Sequence, residues 1–465
     1  MLEKLLAQTN DVLWSYVLVT LLVCCAVYFT FRTRFVQFHM LREMVRLLGD
    51  AVPSTGKAKT HHVSSFQAFM VSLASRVGTG NLAGVATAIT VGGPGAVFWM
   101  WVIALMGSAT AFVESTLAQL YKRKAKDSFI GGPAYYMLHG LGQRWMGVLF
   151  AVLISITFGM AYNSVQSNTI TAAWMKAFDV DALWMGIVLT ASTLAIIFGG
   201  IHRIAKISEA IVPIMALTYI FLALVMIVMN ITKVPDVLLA IVEDAFGWHQ
   251  AVGGGLGATV MQGIKRGLFS NEAGEGSAPN VAATAYVTHP VKQGLIQALG
   301  VFTDTLLICS CTAFIILVSG VHTRGNFDGI QLTQEALSTQ IGGLGNVFIA
   351  IMILMFAFSS IIGNYYYGEA NIRFITQRRW VLDAYRVVVG MMVMWGAMMS
   401  LDLAWSLADL MMALITFCNL VAIVLLFRQV SFLLKDYRAQ KRAGMKDPTF
   451  SKEQMPDIKD RLDAW

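Results

Sequence analysis

The sequence has few of the residues from which soluble folds and catalytic centres are built. Only 13% of its 465 residues are charged, against about 25% in a soluble domain, and only nine are proline. Its five cysteines fall in apolar runs without a paired CxxC arrangement, which argues against a disulfide framework or a zinc site. The HExxH, GxSxG and GK[ST] patterns of metalloproteases, α/β-hydrolases and phosphate-binding loops are also missing. These absences argue against an enzyme.

Long apolar runs dominate the chain instead. Hydrophobic residues make up 57% of it and the mean hydropathy is +0.65, values typical of a polytopic membrane protein. Because about 20 apolar residues cross a bilayer, we predict an all-α membrane protein with about eleven transmembrane helices and no soluble domain. Their approximate ranges are 12–31, 64–93, 95–121, 146–176, 182–201, 209–230, 250–284, 291–319, 345–376, 382–399 and 403–427.

Positive charge is distributed unevenly over the predicted loops. The net charge of +7 does not indicate a nucleic-acid partner, because Lys and Arg lie mainly in short loops and in the tail, where membrane topology explains them. The connector after the first span carries Arg32, Arg34, Arg42, Arg46, Lys57 and Lys59, whereas the loops on the other side hold only Lys4, Lys176, Lys233 and Arg324. The positive-inside rule therefore predicts a multi-pass protein of a bacterial or archaeal plasma membrane, with its N-terminus outside and its C-terminus in the cytoplasm.

The second predicted span, 64–93, is interrupted. Two apolar halves flank the Gly-rich stretch Ser75–Asn81, which reads SRVGTGN and contains an arginine. An unsatisfied backbone group in hydrocarbon costs several kcal/mol, so a break at this depth persists only beside protein or a watered cavity. The break is therefore a candidate binding site. The alternative is a kinked helix whose glycines only allow close packing.

The seventh span, 250–284, is interrupted in the same way, around residues 265–276. If the first span is an addition, the remaining ten divide into two sets of five, and each set opens with a broken helix. Because five is odd, the two sets would insert with opposite orientations, which is the pattern of an inverted-repeat secondary transporter. The predicted division is an N-terminal helix and connector, a first repeat, a second repeat and a tail, at 1–63, 64–230, 231–427 and 428–465.

Three further segments are too polar to span the membrane. Residues 236–248 and 325–340 are spaced like short helices lying on the outer surface. The tail, 428–465, alternates basic and acidic residues, and we expect a cytoplasmic amphipathic helix followed by a loose end.

Four motifs resemble the sodium:alanine (alanine or glycine:cation) symporter family. They are FQAFMVSLASRVGTGNLAGVATAI, GGPGAVFWMW, FIGGPAYYM at 129–137 and GLFSNEAGEGSAP at 267–279, and the match spans essentially the whole membrane region. That family is similar in fold to sodium-coupled amino-acid transporters with a five-plus-five inverted repeat, whose VGxGN signature is matched by Val77–Asn81. The resemblance implies a symporter that imports a small neutral amino acid, alanine or glycine, together with sodium by alternating access, working as a single chain in membrane lipid.

A zwitterionic amino acid presents a carboxylate, an ammonium group and a side chain. The backbone amides of Thr79 and Gly80, at the start of a half-helix, suit the carboxylate, and carbonyls freed around Gly267–Ser270 suit the ammonium. Phe269, Gln166 and Ile362 are candidates for the side-chain pocket. The predicted substrate-binding residues are therefore Thr79, Gly80, Gln166, Phe269, Ser270, Asn271 and Ile362.

Sodium prefers oxygen ligands. The resemblance implies one cation held by the carbonyls of Ala74 and Val77 and by the hydroxyls of Ser359 and Ser360. A second cation would use Asn81, Asn271 and the carbonyl of Arg76, and whether both sites exist is open.

Charged residues inside membrane spans are functional candidates, although they also pair structurally. The candidates here are Arg76, Glu114, Lys265, Arg266, Glu272, Glu275, Asp304 and Glu369. Glu272 lies within the second break, where it could orient Asn271, cap a half-helix or take a proton. Proton coupling through Glu272, and a larger substrate such as glutamine, are therefore the alternatives to sodium and alanine.

Overall fold

The computed structural model describes residues 2–51, 63–125, 128–247, 255–325 and 327–465, and within them the chain is almost entirely helical. Eight helical stretches are long and apolar enough to cross a membrane, and the two interrupted helices and Ala182–Ile197 add three, which makes eleven. The predicted fold class is therefore confirmed. Some residues of the earlier predictions lie outside the described residues, namely Lys57, Lys59, Trp248 and residues 250–254.

The first six spans alternate with short connecting elements. The first span comprises α1 (Leu2–Val12), a π-helical segment (Leu13–Leu18) and α2 (Val19–Arg32), and α3 (Val36–His39) and α4 (Leu41–Ala51) follow it. The second comprises α5 (Ser65–Arg76), a π-helical segment (Gly80–Gly84) and α6 (Val85–Gly92). The rest are α7 (Gly95–Leu120), the antiparallel strands β1 (Arg123–Lys124) and β2 (Phe129–Ile130), α8 (Pro133–His139), α9 (Arg144–Ile156), a π-helical segment (Thr157–Tyr162), α10 (Asn163–Phe178), α11 (Ala182–Ile197) and α12 (Gly200–Met229).

The second set of spans begins after a short helix, α13 (Val234–Ala245). Its interrupted helix comprises α14 (Gly255–Asn271) and α15 (Ala278–Ala282). The remaining elements are α16 (Pro290–Val301), a π-helical segment (Phe302–Cys309), α17 (Ser310–Ser319), α18 (Gly329–Ile341), α19 (Leu344–Ile375), α20 (Arg379–Met398), α21 (Leu401–Leu425) and α22 (Phe427–Arg442).

The two interrupted helices run in opposite directions. Val63, just before α5, forms a parallel bridge with Ala285, just after α15, and the Tyr286 N–H donates to the Val63 carbonyl at 3.3 Å. The beginning of one helix and the end of the other therefore meet at one face of the bundle, which also carries α22. We call this the tail face, and the opposite face, which carries α13 and α18, the cap face.

Helix α18 corrects the expectation of a helix lying on the surface. Ile330, Leu332 and Leu337 are buried. The Thr333 hydroxyl donates to the Leu82 carbonyl at 3.1 Å, which ties α18 to the upper half of the first interrupted helix. The polar residues that made this segment look exposed are thus partly used to hold it inside the cap face.

The residues after α22 correct the expectation of a loose end. Residues 443–465, here called the C-terminal strap, lie against the tail face. The Phe450 N–H donates to the Thr288 carbonyl at 2.8 Å, and the Trp465 indole N–H donates to the Gln119 carbonyl at 3.0 Å. The rings of Phe450 and Trp465 pack edge-on, 5.5 Å apart. These aromatic contacts hold a segment whose mixed charge alone suggests a mobile chain.

Candidate functional site

The first break is short. Helix α5 ends at Arg76 and the π-helical segment begins at Gly80; of the residues between them, 77 and 78 leave the helix, whereas Thr79 already has helical backbone angles. This is shorter than the predicted break, Ser75–Asn81. All the residues of the break are buried, as expected for an interruption enclosed by protein within the membrane.

Four oxygen atoms meet beside this break. The Ser360 hydroxyl oxygen lies 2.9 Å from the Ala74 carbonyl oxygen and 3.4 Å from that of Val77, and the Ser359 hydroxyl oxygen lies 3.4 Å from that of Ala74. Both hydroxyls also reach the Phe356 carbonyl within α19, at 3.1 and 2.8 Å. The fold therefore brings the four residues of the first predicted cation site together. Unwound carbonyls with adjacent hydroxyls form the kind of site that holds sodium in transporters.

The backbone amides of the break point to side-chain acceptors. The Gly78 N–H donates to Asn81 Oδ1 at 2.8 Å, and the Thr79 N–H donates to Gln166 Oε1 at 2.9 Å. The Thr79 hydroxyl is buried and has no hydrogen-bond partner among the described residues. Thr79 immediately precedes the upper half-helix, where free N–H groups and the helix dipole favour an anion. A carboxylate would replace the Gln166 amide oxygen here.

The two interrupted helices lie very close together at Gly80. A Cβ atom added there would lie 2.9 Å from the Ser270 Cα and 3.2 Å from the Phe269 ring. Only glycine allows this distance without a shift of one backbone. The structure thus places predicted residues of both breaks in direct contact.

Asp304 joins the two interrupted helices. Its carboxylate accepts from the Asn81 amide of the first helix at 2.7 Å and from the Ser270 hydroxyl of the second at 2.7 Å, and Thr305 contributes a third bond at 2.9 Å. The Asn271 amide donates to the Thr305 hydroxyl at 3.3 Å. Two of the three residues of the second predicted cation site are therefore linked to Asp304, Asn81 directly and Asn271 through Thr305, and Asp304 is itself completely buried.

Three aromatic rings lie against the contact between the breaks. Phe269 packs on Tyr162 and on Trp405, with ring centroids 4.7 Å apart in both pairs. Trp405 is 6% exposed and the other two less, so the rings separate the break region from the cap face. They provide an apolar wall beside the polar groups of Thr79 and Gly80.

A buried ion-pair cluster lies next to these rings. The Arg266 guanidinium is 2.9 Å from the Asp409 carboxylate and 4.1 Å from the centroid of the Trp405 ring. Lys265 also pairs with Asp409, at 2.7 Å, and the Trp14 indole N–H donates to the Asp409 carbonyl at 3.2 Å. The cluster thus links the additional first span to the wall of the site.

The second break covers Glu272–Ser277, later than the predicted 265–276. Lys265 and Arg266 remain in α14, where both side chains pair with Asp409. The chain leaves the helix where Glu272 and Gly274 adopt φ angles of +55° and +100°. Glycine adopts such angles readily, whereas a glutamate at positive φ is strained.

Three carboxylates hold this second break. Glu114 accepts from the backbone N–H groups of Gly274 and Gly276 at 3.3 and 3.1 Å, and from the Asn419 amide at 2.8 Å. Glu272 accepts from the hydroxyls of Ser75 and Ser277 at 2.8 and 2.5 Å, and Glu275 from the Tyr162 hydroxyl at 3.0 Å. Glu272 therefore binds the end of α5 directly, besides bridging its own break.

Ile362 and Arg76, two further predicted site residues, are both buried. Ile362 follows Ser360 by two positions on α19, which is about 200° around the helix axis, so it points away from the oxygen cluster, and its place in the side-chain pocket stays a prediction. Asn364, four positions after Ser360, lies on the same face as Ser360, and its side-chain oxygen lies 2.6 Å from the Ser75 hydroxyl. The Arg76 side chain donates to the Gln297 carbonyl at 3.1 Å, and the cation contact of the Arg76 carbonyl stays a prediction.

Several residues that the structure brings to the site have no predicted role in it. Glu114 and Asp304 are predicted only as charged residues inside the membrane. Asp409 is not predicted, although it is charged and lies in a predicted span. Tyr162 and Trp405 carry no sequence signal, because aromatic residues are common throughout the spans. Their role depends on which helices become neighbours.

Comparison with known proteins identifies the family of this chain. The sequence profile of the sodium:alanine symporter family matches residues 1–452. A probable sodium/glutamine symporter of Bacillus subtilis is 54% identical over 452 residues, covering 97% of this chain and 94% of that protein. The sodium/alanine symporter AgcS of Methanococcus maripaludis is 35% identical, covering 91% of this chain and 94% of that protein.

A solved structure shares the fold at low sequence identity. MhsT in complex with L-phenylalanine superposes with a TM-score of 0.52 and 13% identity, covering 80% of this chain and 100% of that one. The family and these homologues are secondary transporters rather than enzymes. The profile match over nearly the whole chain, together with the two relatives, shows that this chain belongs to the sodium:alanine symporter family.

Proposed function

We propose that this chain is a sodium-coupled symporter that imports a small neutral amino acid, alanine or glycine, by alternating access. The observation that carries the proposal is the position of the oxygen cluster around Ser360 beside the same short break that Thr79 follows. A cation and a carboxylate would thus bind within one turn of backbone. Family membership supports sodium as the cation, which is a second substrate rather than a resident cofactor.

The amino acid would bind between the two breaks. Its carboxylate would take the N–H groups of Thr79 and Gly80, and its ammonium the carbonyls at the end of α14, around Phe269 and Ser270. Its side chain would face the wall of Tyr162, Phe269 and Trp405, which favours a short side chain because the three rings already touch.

Coupling follows from the helices that the cation would join. Ser359 and Ser360 belong to α19, whereas Ala74 and Val77 belong to the first interrupted helix. A bound sodium ion would stabilise the arrangement of these helices in which the break can receive the substrate. By linkage the substrate would raise the affinity for sodium by the same factor.

The proposed orientation follows the distribution of charge. With the tail face in the cytoplasm of a bacterial or archaeal cell, the basic loops lie inside, and the two repeats at 64–230 and 231–427 insert with opposite orientations. A single chain supplies every residue of the proposed site. A second sodium site at Asn81, Asn271 and the Arg76 carbonyl stays a prediction, and Asp304 would complete it.

Glutamine is the second candidate substrate, because the relative that is 54% identical is named a probable sodium/glutamine symporter. A longer side chain would require the rings of Phe269 and Trp405 to separate. Competition between substrates distinguishes the two candidates.

The test is uptake of radiolabelled L-alanine into proteoliposomes that carry the purified protein. An inward sodium gradient is compared with an equal choline gradient, and glycine, D-alanine and L-glutamine serve as competitors. We expect uptake that requires sodium and is blocked by glycine or D-alanine. Stronger competition by glutamine would favour the second candidate. Uptake that ignores sodium and follows a proton gradient would overturn the cation assignment and make Glu272 the residue to test.

Ser360→Ala tests the cation site directly. Loss of one ligand is expected to raise the sodium concentration for half-maximal uptake about tenfold, since a hydrogen bond or ligand contact of this kind contributes about 1–1.5 kcal/mol. Ser155→Ala is the matched control, because the Ser155 hydroxyl donates to the Ala151 carbonyl within its own helix at 2.7 Å and lies 3.4 Å from the Gly368 carbonyl, about two turns beyond Ser360 on α19. An unchanged sodium dependence in Ser360→Ala would contradict the assignment.

A further inference from the structure

A cavity of about 550 Å³ opens at the tail face between the first span and α22. The ends of α2 and α21 form its sides, and the first two turns of α22 form its floor. Basic and apolar side chains line it together, among them Arg32, Arg428, Lys435, Leu425 and Phe432. None of its lining residues belongs to either break or to the proposed transport site.

Three cations surround this cavity without a carboxylate partner. Arg32, Arg428 and Lys435 are all exposed, and none of them forms an ion pair among the described residues. The cavity lining contains no acidic residue. Asp436, the nearest acid along the helix, turns away and accepts from His289 at 3.1 Å. The mouth of the cavity therefore carries an uncompensated positive charge that suits an anion.

The other half of the cavity is apolar. Leu425, at the end of a membrane span, is 63% exposed, and Phe432, about two turns beyond it, is 41% exposed. The Arg32 guanidinium lies 5.8 Å from the centroid of the Tyr28 ring and 5.9 Å from that of Phe427, so aromatic faces hold the cation at the boundary. A ligand that fits must combine an anionic head with an apolar body.

Helix α22 presents the same combination along its length. Arg428, Phe432, Lys435 and Arg442 are exposed at spacings of four, three and seven residues, which places them on one face of the helix. The opposite face is buried through Val430, Leu433, Leu434 and Tyr437. An amphipathic helix with a basic stripe and an exposed aromatic ring is the form that lies at a membrane surface.

We propose that this cavity binds the headgroup of one anionic phospholipid from the leaflet at the tail face. The phosphate lies between Arg32, Arg428 and Lys435 and accepts from the Ser431 hydroxyl, and the acyl chains run along Val424 and Leu425. Basic pockets at the ends of transmembrane helices recognise acidic headgroups in this way. The site is independent of the substrate and sodium sites, so it stands whether or not the proposed function does.

Binding at this cavity would fix the position of α22. The Tyr437 hydroxyl donates to Glu43 of α4 at 2.7 Å, and Asp436 contacts His289 at the start of α16. The helix that holds the headgroup therefore also contacts the chain that follows the second interrupted helix. A lipid bound at the cavity would therefore stabilise the contacts of α22 with Glu43 and with His289.

The test is native mass spectrometry of the delipidated full-length protein, titrated with phosphatidylglycerol or with phosphatidylcholine. One tightly retained phosphatidylglycerol is expected. The triple variant Arg32→Gln, Arg428→Gln, Lys435→Gln is expected to bind it about a hundredfold more weakly, because each basic residue near an anionic lipid contributes about a fivefold factor. The matched control neutralises three other exposed arginines of the tail face, Arg144→Gln, Arg378→Gln and Arg379→Gln.

Each other outcome overturns the proposal. Equal retention of phosphatidylcholine would show that the cavity does not recognise the headgroup charge. An equal loss in the control variant would show diffuse attraction to the whole tail face. Displacement of the lipid by millimolar inorganic phosphate would show that the cavity is a site for a free anion. Circular dichroism of the triple variant checks that the helical content is unchanged.

Discussion

The first break contains no carboxylate, whereas the second contains two and is bound by a third. The first break is satisfied by the neutral side chains of Asn81, Gln166 and Ser360. In the second, Glu272 bridges two hydroxyls, and Glu114 of α7 binds two backbone N–H groups. Both interruptions therefore break a membrane helix, but their chemistry differs.

The difference indicates a division of labour. Neutral groups are displaced by a ligand at low cost, which suits a break that receives a substrate and an ion and then releases them. Charge-assisted hydrogen bonds to backbone N–H groups are about twice as strong as neutral ones, which suits a break that keeps its shape. We expect the first break to change during transport and the second to serve as its fixed support.

The largest effect is expected from Glu114→Ala, which removes the support of the second break. Two backbone N–H groups and the Asn419 amide would lose a charged acceptor in a fully buried place. The free energy of unfolding should fall by about 4 kcal/mol, measured as the thermal stability of the detergent-solubilised protein. Glu453→Ala, at an exposed carboxylate of the C-terminal strap, is the control. Unchanged stability in Glu114→Ala would mean that the second break does not depend on this charge.

A smaller and purely functional effect is expected from Gly80→Ala. The new Cβ would meet the Ser270 Cα at 2.9 Å and push the two interrupted helices apart by a few tenths of an ångström. Uptake of the substrate should fall at least about tenfold, since a small misplacement of binding groups is costly, while the melting temperature changes little. Gly257→Ala is the control, because a Cβ at that position of α14 meets nothing within 4 Å. Full uptake by Gly80→Ala would show that transport does not depend on the close approach of Gly80 to Ser270.

The smallest effect concerns the tail-face ends of the two interrupted helices. The first begins with a capping box formed by Ser64 and Gln67, which contains no titratable group. The second leads to His289, which faces Asp436, Tyr437 and Lys292. Burial lowers the pKa of His289 to about 4, with the Lys292 charge acting in the same direction and Asp436 against it.

The sign of the pH effect follows from this pKa. Between the ordinary value of 6.5 and about 4, the unfolded chain binds a proton at His289 and the folded chain does not, so stability falls as the pH drops through that range. Melting curves at pH 7.5 and pH 5 should show a larger loss for the wild type than for His289→Gln. Equal losses would place the sensitivity to acid elsewhere.

The sequence predicted the elements that the membrane itself enforces. Eleven spans and two interruptions follow from apolar length and from Gly-rich breaks, since hydrocarbon leaves few alternatives. The meeting of Ala74 and Val77 with Ser359 and Ser360 was expected only because the motifs resemble a known family. The place of Ile362 in the side-chain pocket stays a prediction, and its position on α19, about 200° from Ser360 around the helix axis, puts it on a different face from the oxygen cluster.

What the sequence did not show depends on partners distant in the chain. Lys265 and Arg266 looked like part of a break because their partner, Asp409, lies more than 140 residues away. The C-terminal strap looked loose because its anchors, the carbonyls of Gln119 and Thr288, are backbone groups that leave no mark on composition. Aromatic neighbours such as Tyr162 and Trp405 are recognised only once the helices are packed.

The C-terminal strap also has a consequence for biosynthesis. It follows the last span, so the ribosome makes it after every helix of the bundle has been synthesised. Chains grow at about 5–20 residues per second, and the earlier helices therefore insert and pair for seconds before residues 443–465 reach the tail face. During that interval the connection between the second interrupted helix and α16 is not yet covered by the C-terminal strap. The helices of the membrane core thus form before the strap packs against the tail face.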